Sequence, residues 1–158
     1  MKAKQGVVDL LNGSLTIELT AINQYFLAGE QCTNWGFPKL RKLFRDLSFE
    51  EMKDSEVLVK HILYLEGLPN MQRLNQVHVG EDVPELFQAG LAAELAAVEH
   101  LRNAIAHCAA VGDFTTRALF EEMIRSEEEH VDLFETQLAA IERVGLERYL
   151  AQQVGLGE

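Results

Sequence analysis

The chain of 158 residues has little of several things: two cysteines, three prolines, one tryptophan, and 14 basic residues against 25 acidic ones. Cys32 and Cys108 are too few for a disulfide framework and fit no zinc-ligand spacing, so both are expected as reduced, buried thiols. The formal net charge of −11 sets the chain against nucleic acid or an anionic membrane as partner, and suits the handling of cations. No apolar run approaches the ~20 residues of a membrane span. Residues 1–15 lack a basic start followed by a signal-like apolar block, so the expected location is cytoplasmic. No strand-like alternation competes with helical periodicity. Pro38, Pro69 and Pro84 each stand where a helical pattern starts or stops. The expectation is one all-α domain over 1–158.

What is present is a set of apolar stripes stepping by three and four, each interrupted by acids. The first helix, 5–34, carries Leu11, Leu15, Glu18, Ile22 and Tyr25. The second, 38–65, carries Leu40, Phe44, Leu47, Glu51, Asp54, Leu58, Ile62 and Leu65. The third, about 83–111, carries Phe87, Leu91, Glu94, Val98, Leu101, Ile105 and Cys108; the fourth, about 114–143, carries Phe120, Met123, Glu127, His130, Phe134, Leu138 and Ile141. A short fifth helix is expected over 146–153. Between the second and third helices, residues 66–83 show no periodicity. A dozen extended residues at ~3.3 Å each cover a helix of some 28 residues at ~1.5 Å each, so this segment is expected to cross the full length of a bundle. A shift of 76 residues lays Gly36 on Gly112, Glu18 on Glu94, Glu51 on Glu127 and Glu66 on Glu142. The chain thus divides into two helical hairpins joined by the crossover.

A charge inside an apolar stripe is costly unless it is paired or bound to metal. A lone Glu-x-x-His in an acidic protein is usually solvated. Four acidic clusters on four stripes are not: Glu18 stands 33 positions before Glu51, and Glu94 stands 33 before Glu127. One Glu from each of two helices, plus an i, i+3 pair from each of the others (Glu51 with Asp54, Glu127 with His130), is the ligand set of a dinuclear carboxylate bundle. Hard carboxylate oxygens suit iron and manganese and can bridge two metals. Tyr25, about two turns from Glu18, is either core with a satisfied hydroxyl or a phenol acting on the site. Glu128 and Glu129 fall on the solvated face. Met52 lies about 100° round the helix from Glu51; with Phe49, Leu19 and Phe26 it makes an outward apolar patch, the mark of a subunit interface.

The stretches Glu18-Leu19-Thr20-Ala21-Ile22-Asn23-Gln24-Tyr25-Phe26-Leu27, Asn34-Trp35-Gly36, Glu51-Met52-Lys53, Leu63-Tyr64-Leu65-Glu66-Gly67-Leu68-Pro69-Asn70, Val79-Gly80-Glu81-Asp82 and Gly145-Leu146-Glu147-Arg148-Tyr149-Leu150 resemble bacterioferritin from end to end. The resemblance implies a ferritin-like four-helix bundle with a long crossover between helices 2 and 3 and a short fifth helix. It further implies a ferroxidase that oxidises Fe(II) with O₂ or peroxide and stores ferric mineral inside a 24-subunit cage built from two-fold dimers. By position, Glu18, Glu51, Glu94, Glu127 and His130 match the family's di-iron ligands, with Glu51 and Glu127 bridging. Met52 matches the residue that gives a thioether from each of two subunits to one shared haem b. That haem would carry electrons inward for iron release, from a donor such as a ferredoxin.

Two departures stand out. Asp54 replaces the family's usual histidine; an Asp oxygen and a histidine Nδ1 both lie one bond beyond Cγ, so the reach is kept and one anion is added. Such a site is either metal-competent but altered, or impaired and dependent on a second subunit type in a mixed cage. Asp46 and Glu50 stand where the family often has a histidine and an aspartate on the inner surface, making any relay there all-carboxylate. A discrete di-metal oxidase or peroxidase on the same bundle is the alternative enzyme. A DNA-protecting mini-ferritin is disfavoured by the lack of a basic tail.

Overall fold

The computed structural model describes residues 1–155, and among them there are five helices and no strand. They are α1 (Val7–Asn34), α2 (Pro38–Tyr64), α3 (Val83–Val111), α4 (Phe114–Val144) and α5 (Leu146–Ala151). Two expected boundaries move by two residues, and the ends of α2 and α4 by one. The first helix begins at Val7 because Gly6 takes a left-handed φ of 78°, and the fifth ends at Ala151, two residues early.

Helix starts and stops follow local chemistry. Pro38 and Pro84 sit in first turns, where a missing N–H costs nothing. The Asp82 and Asp113 side chains cap α3 and α4, each accepting a backbone N–H, from Glu85 and Thr116, at 2.9 Å. Gly36 and Gly112, the pair related by the 76-residue shift, both adopt left-handed φ, 87° and 75°. A Cβ on either would meet nothing within 4 Å, so the backbone conformation and not crowding calls for glycine.

Hairpins α1–α2 and α3–α4 pack against each other mainly through α1 and α3. The apolar interior falls into two clusters. One is aromatic, with Tyr25, Phe44, Phe87 and Phe134 in mutual ring contact at centroid separations of 5.7–6.2 Å among adjacent pairs. Gly90 makes room for it, since a Cβ there would lie 2.5 Å from Phe134 Cζ. The other gathers Leu11, Leu15, Leu58, Ile62, Leu101 and Phe120. The mid-stripe acids lie at the level between them. Cys32 and Cys108 are free and buried, and burial pushes the Cys32 thiol up to about 12.

The crossover runs alongside α1 and is held by α1 side chains. Asn12 donates to Leu68 O at 3.0 Å and accepts from Asn70 N–H at 2.8 Å. Thr20 Oγ1 accepts from Asn75 N–H at 2.9 Å, Gln24 Oε1 from His78 N–H at 3.2 Å, and Gln31 Nε2 donates to Gly80 O at 2.8 Å. Thirteen loop residues (68–80) thus accompany twenty helical ones (12–31); ~3.3 Å per extended residue gives more length than ~1.5 Å per helical residue needs here, so the segment is less than fully extended.

Candidate dinuclear metal centre

Each long helix delivers its stripe acid to one point. Two groups of ligand atoms form there, in each of which all members lie within 4.8 Å of one another: Glu51, Glu94, Glu127 and His130, and Glu18, Glu51, Asp54 and Glu127. Glu51 and Glu127 belong to both. Glu18, Glu51, Glu94 and Glu127 are 1–2% exposed and His130 is 5% exposed. His130 Nδ1 faces Glu51 at 3.0 Å, Glu94 at 3.4 Å and Glu127 at 3.5 Å. Its other nitrogen, Nε2, meets the Glu50 carboxylate at 2.6 Å. A carboxylate beside Nε2 makes that nitrogen the N–H donor and frees Nδ1 to coordinate.

The electrostatics describe a crowded anionic site. Burial first, then repulsion from Glu51, raises Glu18 well above the ordinary carboxylate range. Burial also raises Glu94, helped by its hydrogen bond with Glu127. Burial alone would raise Glu127, but hydrogen bonds from Glu94, His130 and Glu18 outweigh it and hold Glu127 low. Of this hydrogen-bonded pair, Glu127 is thus the more acidic partner. Burial disfavours charge on His130, yet its contacts with Glu127, Glu51 and Glu94 raise it strongly. Asp54, pushed up by burial and by Glu51 and Glu127, sits at about 7. One oxygen each of Glu18, Glu51, Asp54 and Glu127, together with His130 Nδ1, lacks a well-formed hydrogen bond among the described residues. Unpaired, crowded acids of this kind are costly in a protein interior, and one or two cations would satisfy the charge and the lone pairs together.

The remaining expected residues are placed as follows. Tyr25 is buried and its hydroxyl donates to Glu94 Oε1, so it touches the acid set directly; burial, then Glu94, raises its pKa well above 10. Asp46 is exposed and pairs with Lys42 at 2.7 Å. Glu128 and Glu129 are exposed, beside Arg125 and Asp132. Met52, Phe49 and Phe26 are outward and half exposed or more, but Leu19 is not part of that patch: it turns toward the Leu11–Phe120 cluster and is partly buried. Ile22, expected in the core stripe, is only partly buried and instead lines a recess of about 260 Å³ with Met52 and Phe49. Two placements depend on distant elements. Glu50 is expected only as an inner-surface relay acid, and nothing in its spacing announces contact with His130, 80 positions away. Gln24 gave no signal beyond being a polar residue next to the stripe; it is 5% exposed and borders the site.

A profile of the ferritin-like domain matches residues 8–144. Among curated relatives, a bacterioferritin of Mycolicibacterium paratuberculosis is 45% identical across 98% of this chain and 97% of its own. A bacterioferritin of Streptomyces coelicolor is 46% identical across 96% and 90%, and bacterioferritin BfrA of Mycobacterium tuberculosis is 43% identical across 98% and 97%.

Proposed function

Because the chain belongs to the bacterioferritin family of ferritin-like proteins, and so to a family of iron-storage cages, we propose that it oxidises the iron it stores at its own dinuclear centre. The observation that carries this reading is the pair of four-ligand groups sharing Glu51 and Glu127. Fe(II) is the substrate. One ion takes Glu94 and His130, the other takes Glu18 and Asp54, and Glu51 and Glu127 bridge them. Two Fe(II) each lose one electron. With peroxide as oxidant, the two electrons and two protons yield two waters; with dioxygen they yield one peroxide. Iron takes the Nδ1 lone pair of His130, and Tyr25 steadies Glu94 through its hydroxyl.

Asp54 supports a competent centre over an impaired one. Its carboxylate lies within reach of three other ligands, and its Oδ2 has no other partner. The extra anion favours the ferric product.

The Met52 face fits a haem b. The recess combines apolar Ile22, Phe26 and Phe49 with Arg41 and Arg45, which match the apolar ring and the two carboxylates of that group, and it opens on a thioether that is 59% exposed. Haem bound between Met52 residues of two subunits would supply one-electron transfer for iron release, with a ferredoxin-type donor outside. In this reading the protein is a cytoplasmic 24-subunit cage of two-fold dimers. Light scattering of the purified protein with iron uptake tests it. A particle near 24 subunits taking up many irons per subunit is expected, whereas a small oligomer that stops at two would identify a discrete di-metal oxidase.

A further inference from the structure

A cavity of about 200 Å³ lies directly over the carboxylates, on the α1–α3 side of the bundle beneath the crossover. Its floor is Glu18, Glu51, Glu94 and Glu127, and its roof is the crossover at residues 75–78. Its walls are mainly Ile17 and Ala21 from α1 and Ala93 and Ala97 from α3. The two alanines are one turn apart and flank Glu94, where leucines would close the space. The volume is roughly an order of magnitude above what one water needs. No lysine, arginine or carboxylate lines the way between the roof and the floor.

Gln24 makes this more than a packing gap. Its Oε1 accepts the His78 N–H at 3.2 Å, and since that N–H can only donate, the orientation of the amide is fixed. Its Nε2 is left as a buried donor with no partner among the described residues, on a side chain that is 5% exposed and lines the cavity. A buried donor without an acceptor calls for a ligand that brings one.

We propose that this cavity is a chamber that admits and holds the oxidant, a small uncharged oxygen species (hydrogen peroxide or dioxygen), with the Gln24 amide as its hydrogen-bond donor. The assignment rests on the ferroxidase reading above. The walls are mainly apolar, and Thr20, Asn75, Gln76 and His78, which also line the cavity, add no carboxylate above the floor to replace the hydration shell of a divalent cation, so the space suits an uncharged molecule. The opposite face of the bundle offers that instead: Glu50, on α2, is half exposed and hydrogen-bonded to the buried His130 of α4. Cation and oxidant would therefore approach the centre from opposite sides of the bundle.

Two variants test the chamber. Ala93→Leu fills it without altering a ligand; Gln24→Met keeps side-chain length and deletes the donor, together with the acceptor of the His78 N–H. Co(II) titration and Co(II) association rate report metal access. Stopped-flow association of nitric oxide with anaerobic Fe(II)-loaded protein reports access of an uncharged diatomic without turnover, and oxidation by dioxygen and by peroxide is timed separately. In Ala93→Leu, Co(II) behaviour matches wild type, while nitric oxide association and oxidation slow by about tenfold, the change that ~1.4 kcal/mol of added barrier produces. The oxidant whose rate falls is the one the chamber serves. In Gln24→Met, the peroxide rate falls while nitric oxide association stays within about twofold, as expected when a hydrogen bond is lost and the passage stays open. Unchanged nitric oxide and oxidant rates in Ala93→Leu overturn the proposal, as does slowed Co(II) association, which would make the cavity the cation's route. If Ala93→Leu does not assemble, unchanged rates with both peroxide and dioxygen in Gln24→Met overturn it. A wild type that binds Co(II) and nitric oxide but oxidises no iron would defeat the ferroxidase reading separately.

Discussion

Replacing Glu18 with Gln should stabilise the metal-free protein and destabilise the metal-loaded one. Glu18 is 2% exposed, its Oε2 has no partner, and burial and Glu51 raise its carboxyl well above 4.5. An acid whose folded pKa is raised takes up a proton on folding between its unfolded and folded values. The unfolded state then binds fewer protons, so stability falls as pH rises through that window, by at most ~1.4 kcal/mol per unit for one proton. Between pH 5 and 7 the upper limit for one proton is ~2.7 kcal/mol. Gln has no such proton to take up, so the advantage of Glu18→Gln grows with pH. For a domain of this size each kcal/mol moves the midpoint by ~2–4 °C, so the advantage at pH 7 exceeds that at pH 5 by at most ~5–11 °C. Saturating metal reverses the order. A ligand at 100 times its Kd stabilises the wild type by ~2.7 kcal/mol, and the variant loses the part that depends on Glu18. Thermal melts of both proteins in chelator and in excess Co(II), from pH 5 to 8, measure this. A metal-free variant less stable than wild type across that range would refute the description of Glu18 as an uncompensated buried acid.

Asp54→Ala should lower the affinity of the second Co(II) by at least about tenfold, whereas Asp54→His should keep a stoichiometry of two, because the ligating atom stays at the same reach; a Co(II) titration followed by visible absorbance decides. Tyr25→Phe should cost ~1.5–3 kcal/mol of metal-free stability through its lost hydrogen bond to Glu94, with metal stoichiometry unchanged. Met52→Leu should abolish the haem Soret band and leave iron oxidation unaffected, since Met52 points away from the acids; a slowed oxidation in the haem-free variant would tie the two sites together. Gly90→Ala should destabilise by ~1–3 kcal/mol despite alanine's better helix propensity, because its Cβ would lie 2.5 Å from Phe134 Cζ; a chemical denaturation curve reads the balance.

Helix number and the convergence of four buried acids were legible because the stripes are periodic. Glu18, Glu51, Glu94 and Glu127 occupy apolar-stripe positions, and most stripe residues of a bundle point inward, Ile22 being an exception. The crossover was legible as length without period. What sequence concealed depended on partners from distant elements. Leu19 reads as outward by angle, yet partly buried it packs on the lower cluster. Glu50 reads as surface, and it is surface except for the one oxygen that meets His130. Gln24 falls beside the stripe and could equally have been solvated; only the crossover, held by its Oε1, buries it. The chamber was invisible for a related reason: Ala93 and Ala97 define it by what they lack.

The central claim is that Glu18, Asp54, Glu51, Glu127, Glu94 and His130 form one two-iron oxidation centre. Anaerobic Fe(II) mixed with oxidant in a stopped-flow instrument tests it most directly, with wild type beside a Glu18→Ala, Glu127→Ala double variant of the same assembly state. A fast phase that saturates at two irons per subunit in the wild type and disappears in the double variant is predicted. Oxidation by the wild type that is no faster than by the double variant would contradict it.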